Sequence, residues 1–431
     1  MGGRGCRRVN TIEELREAAE DALRFSRSGR AIVEAFMDGP EFSVDAIVYH
    51  GEITICGLAD RHIFFPPYFI EMGHTMPTAI APEQQTALLE TFCAGIRALG
   101  LAGEESIGAA KGDIKLTPQG PMLGEIAARL SGGYMSGWTY PYASGVQPIR
   151  AAILAAMGRK PDGLVPLKNW TSAERAFISI PGTVKAISGT EAARAQPHVQ
   201  DLFLRIAEGG KVDFPRNNVS KCGNIISAAP NRADAITAAE SAARSILIRL
   251  DPADQETADF LFSTDAGIFP PAAFLLDSSL REALAQLPEM GTGVLGEWGV
   301  GSGEWGIEGE VSPPASALRA SASPLSGDTP QRPVLLSPIP TPYSLLPTPH
   351  LLPFPAFTSS NLTDYMGRTV AESLRIVREL TGLELPEIAP ENAENGKSSD
   401  NISSFLGRSF WAALVRGGYQ GAVYYIDQLR V

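Results

Sequence analysis

Cysteine and histidine are scarce in this chain: its 431 residues hold four of the first and five of the second. Cys6, Cys56, Cys93 and Cys222 stand far apart, with no CxxC pair and no Cys/His cluster. That spacing excludes a disulfide framework and a structural zinc site, and it reads as reduced thiols in a cytoplasmic protein. Long apolar runs are missing too. No stretch approaches ~18 uninterrupted apolar residues, and the opening Met1-Gly-Gly-Arg-Gly-Cys-Arg-Arg8 lacks a signal-peptide core, so neither membrane spanning nor secretion is expected. Cys6 also occupies the place where an N-myristoylation start at Gly2 wants Ser or Thr. Positive charge is in deficit, 36 Lys and Arg against 48 Asp and Glu, for a net charge of -12. This opposes any general attraction to nucleic acid or an anionic membrane, so an anionic ligand would need a local cationic site. Aromatic residues make up only 8% of the chain, yet 44% are hydrophobic, which is ample for cores and excludes a wholly disordered protein.

What the chain has in excess is backbone punctuation, 43 glycines and 33 prolines. Much of it falls late. Residues 291–310 hold eight glycines and repeat Gly-Glu-Trp-Gly at 296–299 and 303–306, and residues 313–355 hold twelve prolines. We read 291–360 as a low-complexity, disordered linker, its second half biased to polyproline II. Before it, Thr11-Ile-Glu-Glu14 is a capping box that opens a helix over about 12–26. Arg30–Phe36, Glu41–Tyr49 and Glu52–Leu58 read as strands, the second with Phe42, Val44, Ala46 and Val48 on one face. Pro82 opens a helix carrying Leu88, Phe92, Ile96 and Leu99, and another helix is expected over about 147–157. Strands are expected at 175–187 and 223–229, and an alanine-rich helix at 231–250. Helices mixed with antiparallel strands define the α+β class. The expected divisions are 1–29, a glycine-rich start and first helix; 30–168, the main α+β unit; 169–290, a smaller α+β module; the linker; and 361–431, a helical segment. Within the last, Thr369–Leu380 is helical, 387–404 is acidic and polar, and Phe410–Asp427 is apolar enough to dock on a core.

The hairpin Gly112–Glu125 carries the most chemistry. A turn near Pro118 or Gln119 makes paired positions sum to about 237 or 238, which sets Asp113 opposite Glu125. Opposed carboxylates repel, and one remedy is a divalent cation such as Mg2+ that bridges them to phosphates. Arg129 follows within reach of an anion, and Gly132-Gly133 leaves backbone N–H groups free to approach one. From spacing alone, a solvated hairpin surface remains the plainer reading.

Three linked motifs change that reading. Val33-Glu-Ala-Phe-Met-Asp-Gly-Pro-Glu-Phe-Ser-Val-Asp45, then Phe69-Ile-Glu-Met-Gly-His-Thr-Met-Pro77, then Asp113 with Glu125-Ile-Ala-Ala-Arg-Leu-Ser-Gly-Gly133, resemble in order and spacing the ATP-grasp superfamily. The nearest likeness is to carboxylate-amine ligases, including L-amino-acid ligases, with biotin carboxylase more distant, and it covers residues 1 to about 250. The resemblance implies an ATP-grasp fold and an ATP-dependent ligation of a small-molecule carboxylate to an amine through an acyl phosphate, with ATP and Mg2+ (or Mn2+) as cofactors. It implies that Glu34, Ala35, Phe36 and Met37 form the hinge that touches adenine and that Glu41 binds ribose. It further implies that Asp113 and Glu125 hold metal, that Arg129 steadies the acyl phosphate, and that Gly132 and Gly133 form the substrate-side loop. Gly2, Gly3 and Gly5 resemble the tail of the glycine-rich phosphate loop, with a frayed terminus as the alternative. His74 reads as a structural loop histidine, and Asn218–Asn224, with Lys221, resembles a recurring segment of such ligases.

Two departures accompany the likeness. Ala127 stands where the family usually has a metal-binding Asn. The phosphate-binding lysine and the subdomain that precede the glycine loop in the family have no counterpart before Gly2. The alternatives are therefore a catalytically inactive or split ATP-grasp fragment, working as a homo-oligomer or with a partner chain that supplies the rest, and, from composition alone, a Pro-rich scaffold.

Overall fold

The structure, a computed structural model, describes residues 2–263, 272–287, 289, 357, 362–383 and 400–431. The linker expected at 291–360 lies outside these residues except for Phe357, as does 387–399 of the acidic stretch. Among the described residues, no helix is long and apolar enough to cross a membrane.

The chain begins with helix α1 (Ile12–Phe25), whose N-terminal amide at Glu14 is capped by the Thr11 hydroxyl. Strands β1 (Glu41–Tyr49), β2 (Glu52–Phe64) and β3 (Ile70–Met76) then form an antiparallel meander. Helix α2 (Pro82–Ala98) precedes the hairpin β4 (Ile107–Thr117) and β5 (Gly120–Ala127). Short helices α3 (Tyr140–Ser144) and α4 (Pro148–Ala156) follow a π-turn at Met135–Thr139. The next segment adds β6 (Thr171–Phe177), β7 (Gly182–Ser188), α5 (Thr190–Arg194), β8 (Val199–Leu204), β9 (Lys211–Val212), β10 (Gly223–Ala229), α6 (Arg232–Ser245) and β11 (Leu247–Leu250). Helices α7 (Gln255–Phe262), α8 (Ser278–Gln286), α9 (Val370–Thr381) and α10 (Asp400–Gln428) complete it, with α10 broken at Gly407 and Gly418.

Three expectations need correction. Arg30–Phe36 is not a strand. Ile32 and Val33 are 82% and 68% exposed, and no described strand lies alongside to take up the backbone N–H and C=O groups that a strand must pair. The strand expected at 175–187 is two strands, β6 and β7, in different sheets. The helix expected to reach residue 250 stops at Ser245, because the aliphatic run Leu247–Leu250 pairs with β7.

Eight strands form one sheet in the order β5-β4-β1-β2-β3-β6-β10-β8, so strands from either side of residue 168 share it through the β3–β6 pair. That junction requires a glycine: a Cβ at Gly73 would lie 2.1 Å from the Glu174 carbonyl oxygen. One face of β1 and β4 carries Phe42, Val44, Ala46, Ala110 and Ile114, buried against Leu88, Phe92 and Ile96 of α2. Burial of this size contributes about 1.5–3 kcal/mol per large side chain. Leu99, expected on the same stripe, lies past the end of α2 and is 60% exposed. Phe410, Trp411, Leu414 and Val423 of α10 are buried against α8 and α9, and Ala413 and Tyr424 reach the core under α6. The C-terminal segment thus docks, as its apolar residues predict.

Candidate active site

The other face of the large sheet carries a polar row, and strand register explains why. Glu41 pairs with Arg61 and Lys115, Ser43 with Asp113, Arg61 with His74, and His74 with Glu174, so these side chains share one face. Two bulges extend the row. An extra residue at Gly124 sets Glu125 opposite Asp113, as the hairpin arithmetic expects, and an extra residue at Met72 turns Glu71 to the face of His74.

Along this row the charges alternate. Lys111 bridges the two carboxylates of the hairpin, with its Nζ bonded to Asp113 and 3.4 Å from Glu125 Oε1. The repulsion expected between Asp113 and Glu125 is relieved here by this ammonium, which sequence reasoning missed. Ser43 Oγ donates to Asp113 Oδ1 at 2.6 Å, and Arg61 Nη1 lies 2.9 Å from Asp113 Oδ2. Arg61 also binds Glu41 and Glu71, so one guanidinium joins three carboxylates and its pKa is raised despite burial. Lys115 Nζ lies 3.7 Å from Glu41 Oε2.

Beyond Glu71 the row is buried. His74 is a strand residue of β3, not the loop histidine expected, and is wholly inaccessible. Its Nδ1 lies 2.9 Å from Glu174 Oε2 and its Nε2 3.4 Å from Glu71 Oε1, while Asn224 donates to Glu174. Burial opposes the imidazolium charge, but Glu71 and Glu174 outweigh it and hold the pKa at about 9. Glu71 is held well below the usual carboxylate range, because His74, Arg61 and Lys221 overcome its own burial.

A pH dependence follows. Below the unfolded pKa of 6.5 the stabilisation of charged His74 is fully present; as pH rises toward about 9 the unfolded chain loses the proton first, and the advantage is lost. The shift corresponds to about 3 kcal/mol. Urea unfolding at pH 6, 7.5 and 9 should therefore show stability falling monotonically by roughly this amount. A flat profile would mean that His74 is neutral.

The expected hinge is only partly drawn in. Phe36 packs under Arg8 and Lys115, 4.3 and 4.9 Å from its ring, with Phe69 at 5.6 Å. Lys115 thereby connects the hinge with Glu41. Met37 is half-buried, within 3.5 Å of where a Cβ on Gly124 would stand. Glu34 and Ala35 are exposed, and no side-chain hydrogen bond or ion pair of theirs occurs among the described residues.

The glycine-rich start is seated on the site rather than frayed. Gly2, Gly3 and Gly5 all have φ near +73°, and a Cβ on Gly5 would meet Ala22 Cα at 2.7 Å. The Asn218 amide donates to the Gly2 carbonyl at 2.8 Å, and Asn218 Oδ1 accepts from the Glu71 amide at 2.9 Å. Lys221 Nζ donates to the Glu71 carbonyl at 2.7 Å. The segment Asn218–Asn224, for which the sequence offers no mechanism, thus ties the glycine loop to the polar row.

Arg129 and the loop after it close the other end. Arg129 is exposed, donates to the Leu130 carbonyl at 3.0 Å and lies 3.7 Å from Glu125 Oε1. Asp45, fully buried, accepts from the Ser131 amide at 3.1 Å and from the hydroxyls of Ser131 and Ser136, so it anchors the loop that carries Gly132 and Gly133. Burial pushes its pKa up against those hydrogen bonds. A Cβ on Gly133 would lie 3.1 Å from Glu71 Oε1 and 3.3 Å from His74 Cε1, so this loop lies directly over the row. A larger cavity of about 960 Å3, lined by residues such as His62, Arg175 and Tyr365, shares no residue with the row.

Residues 5–134 match the ATP-grasp domain family, and residues 176–251 match the family described as L-amino acid ligase C-terminal domain 2. The chain therefore carries an ATP-grasp domain followed by a domain of the L-amino acid ligase type, and its fold class is that of the ATP-grasp proteins. Among characterised sequences it is similar to carnosine synthase 1 of Homo sapiens, 28% identical over 145 residues, which is 34% of this chain and 17% of the synthase. The synthase of Gallus gallus is 29% identical over 126 residues, 29% of this chain and 13% of that protein. The chain thus matches less than a fifth of the length of these relatives. A similar solved structure is the L-amino acid ligase from Bacillus licheniformis, with 19% identity, a TM-score of 0.49, and 57% of this chain and 62% of that chain covered.

Proposed function

We propose that this chain carries the catalytic core of an ATP-dependent ligase that joins a small-molecule carboxylate to an amine. The observation that carries this reading is the row in which Lys111, Arg61, Lys115 and Arg129 meet the carboxylates of Glu41, Glu71, Asp113 and Glu125, four cations gathered in a chain of net charge -12. The matches to an ATP-grasp domain and an L-amino acid ligase domain, and relatives named as carnosine synthases, support it.

Among the described residues no group of three or more His, Cys, Asp or Glu side chains is gathered to hold a metal ion. Asp113 and Glu125 would offer Mg2+ two hard oxygen donors in place of the Lys111 ammonium they now share, and the rest of the shell would come from phosphate and water. When bound, the ion would neutralise charge on the transferring phosphoryl group. The chain's own side chains would position the reactants. Phe36 and Met37 would flank the base, and Glu41, fixed by Arg61 and Lys115, would accept from ribose hydroxyls. The glycine loop would approach the phosphates through its amides.

The carboxylate oxygen attacks the γ-phosphorus in line and ADP leaves with the electron pair of the broken P–O bond. Arg129 would balance the negative acyl phosphate as a bidentate fork. The amine then attacks the acyl carbon, phosphate departs, and the amine loses a proton. The four thiols are unpaired, which suits a reducing cytoplasmic setting.

The test is to incubate the folded protein with ATP, Mg2+, hydroxylamine and a pool of L-amino acids. ADP and phosphate are expected in equal amounts, matched by the sum of hydroxamate and amide formed. Their absence, or the appearance of AMP and pyrophosphate, would refute the reading.

A further inference from the structure

The two carboxylates of the β4–β5 hairpin already hold a cation, and it belongs to the chain. Lys111 Nζ is bonded to Asp113 Oδ2 and lies 3.4 Å from Glu125 Oε1. Among the described residues it is the side chain that contacts both: of the two acids Arg61 meets only Asp113, and Arg129 meets only Glu125. Lys111 is buried, so its ammonium has exchanged most of its water for these oxygens, and removing it from them without another anion to receive it is costly.

Strand register shows what surrounds it. Lys111 pairs with Ala127 on β5 and with Asp45 on β1, so both side chains share its face of the sheet. Asp45 is already engaged by the Ser131 amide and by the hydroxyls of Ser131 and Ser136. Ala127 presents only a methyl group, so nothing polar holds the long lysine side chain from that direction. Glu125, on the same strand as Ala127, is exposed and leaves the acid pair open to solvent. The charges then limit what can enter. Asp113 and Glu125 carry two negative charges between them and Lys111 one positive. A divalent ion set beside the ammonium would meet repulsion at contact range, with two carboxylates serving three positive charges. The ion binds at full strength only when the ammonium leaves, and a polyphosphate is an anion able to take it.

We propose that Lys111 is a tethered counter-cation that makes entry of a divalent ion between Asp113 and Glu125 conditional on a nucleotide phosphate, to which the displaced ammonium moves. A divalent ion on its own must expel the ammonium with nothing to receive it. Together with a polyphosphate it takes the two carboxylates while the ammonium turns past Ala127 to phosphate oxygens. Lys111 is thus a positioning residue for the acid pair in the free protein and a phosphate contact in the loaded one. This rests on the nucleotide and metal site of the ligase reading above, and not on its ligation step.

The experiment titrates the full chain with Mn2+, read by its EPR signal, and separately with the Mn2+ complex of a non-hydrolysable ATP analogue, in the wild type, Lys111→Met and Lys111→Arg. In Lys111→Met, Mn2+ alone should bind about tenfold or more tighter than in the wild type, while the Mn2+ nucleotide complex should bind about tenfold weaker, the loss of one charge-assisted contact. Lys111→Arg keeps the charge and should leave the affinity for Mn2+ alone within about threefold of the wild type. A lysine that only supports the fold would move both affinities the same way. Changes of one sign in Lys111→Met therefore overturn the proposal, as does Mn2+ alone binding it no tighter than the wild type. Lys111→Gln carries the same comparison if the methionine variant does not fold. The hydroxylamine assay keeps the two readings apart, because it reports ligation while Mn2+ binding reports the ammonium. Hydroxamate with unchanged Mn2+ affinities overturns the Lys111 proposal alone; the opposed shifts in Mn2+ affinity without hydroxamate uphold it and remove the ligase reading.

Discussion

Asp113→Asn is expected to lower ATP turnover by two to three orders of magnitude, on the order of what losing one charge-stabilising group costs an enzyme. The reason lies in what surrounds the carboxylate. Asp113 receives the Ser43 hydroxyl, Arg61 and Lys111, and stands across from Glu125. Asparagine keeps the shape and can still accept from Ser43, but it cannot ligate a divalent cation with the same charge or balance two cations. Stability should change little by comparison, by about 1–2 kcal/mol, since Arg61 keeps Glu41 and Glu71 and Lys111 keeps Glu125. Steady-state ADP release alongside a urea melt separates the two effects. Turnover near the wild-type rate in a folded variant would remove Asp113 from the mechanism.

Glu174→Ala should be the most damaging substitution for stability in the site, at about 3–5 kcal/mol, the usual consequence of stranding a buried charge. Glu174 is 1% exposed and carries both His74 and Asn224. Without it, His74 has only the longer contact to Glu71, and the Asn224 amide loses its acceptor. The variant should also lose most of the decline in stability between pH 6.5 and about 9, because Glu174 is one of the two groups that keep His74 charged. Glu174→Gln, which retains an acceptor without the charge, should fall between. Chemical denaturation of the three proteins at several pH values measures this, and a loss below about 1 kcal/mol for the alanine variant would show the buried pair to be dispensable.

How far the site could be read in advance depends on contact range. Asp113 and Glu125 belong to one hairpin, so turn position brought them within one residue of facing; the pair sum is 237 from the turn to Ile114 and becomes 238 at Asp113 only through the bulge at Gly124. Lys111 was legible in principle, two strand positions from Asp113 and therefore on its face. Arg61 was not. A regular hairpin turning at His50-Gly51 would set Glu41 opposite Asp60, and only the extra residue at Cys56 shifts the pairing to Arg61. The same holds for Glu71, which lies three residues from His74 and would face away without the bulge at Met72. Glu174 is a hundred residues from His74 and meets it only because β3 and β6 pair. Arg30–Phe36 shows the converse: its residues favour a strand, but no described strand lies beside it.

The sequence by itself determined helices α1, α2 and α9 and the hairpin that carries Asp113 and Glu125, because capping boxes, apolar spacing and tight turns act over a few residues. It also determined the order of the three motifs. Only the tertiary structure decided which charges meet, that one sheet spans both segments, and that the glycine loop, Asn218 and Asp45 surround a single row. Those depend on registers set by single-residue bulges and on pairing between distant strands, and moving a strand by one position sends every side chain to its other face.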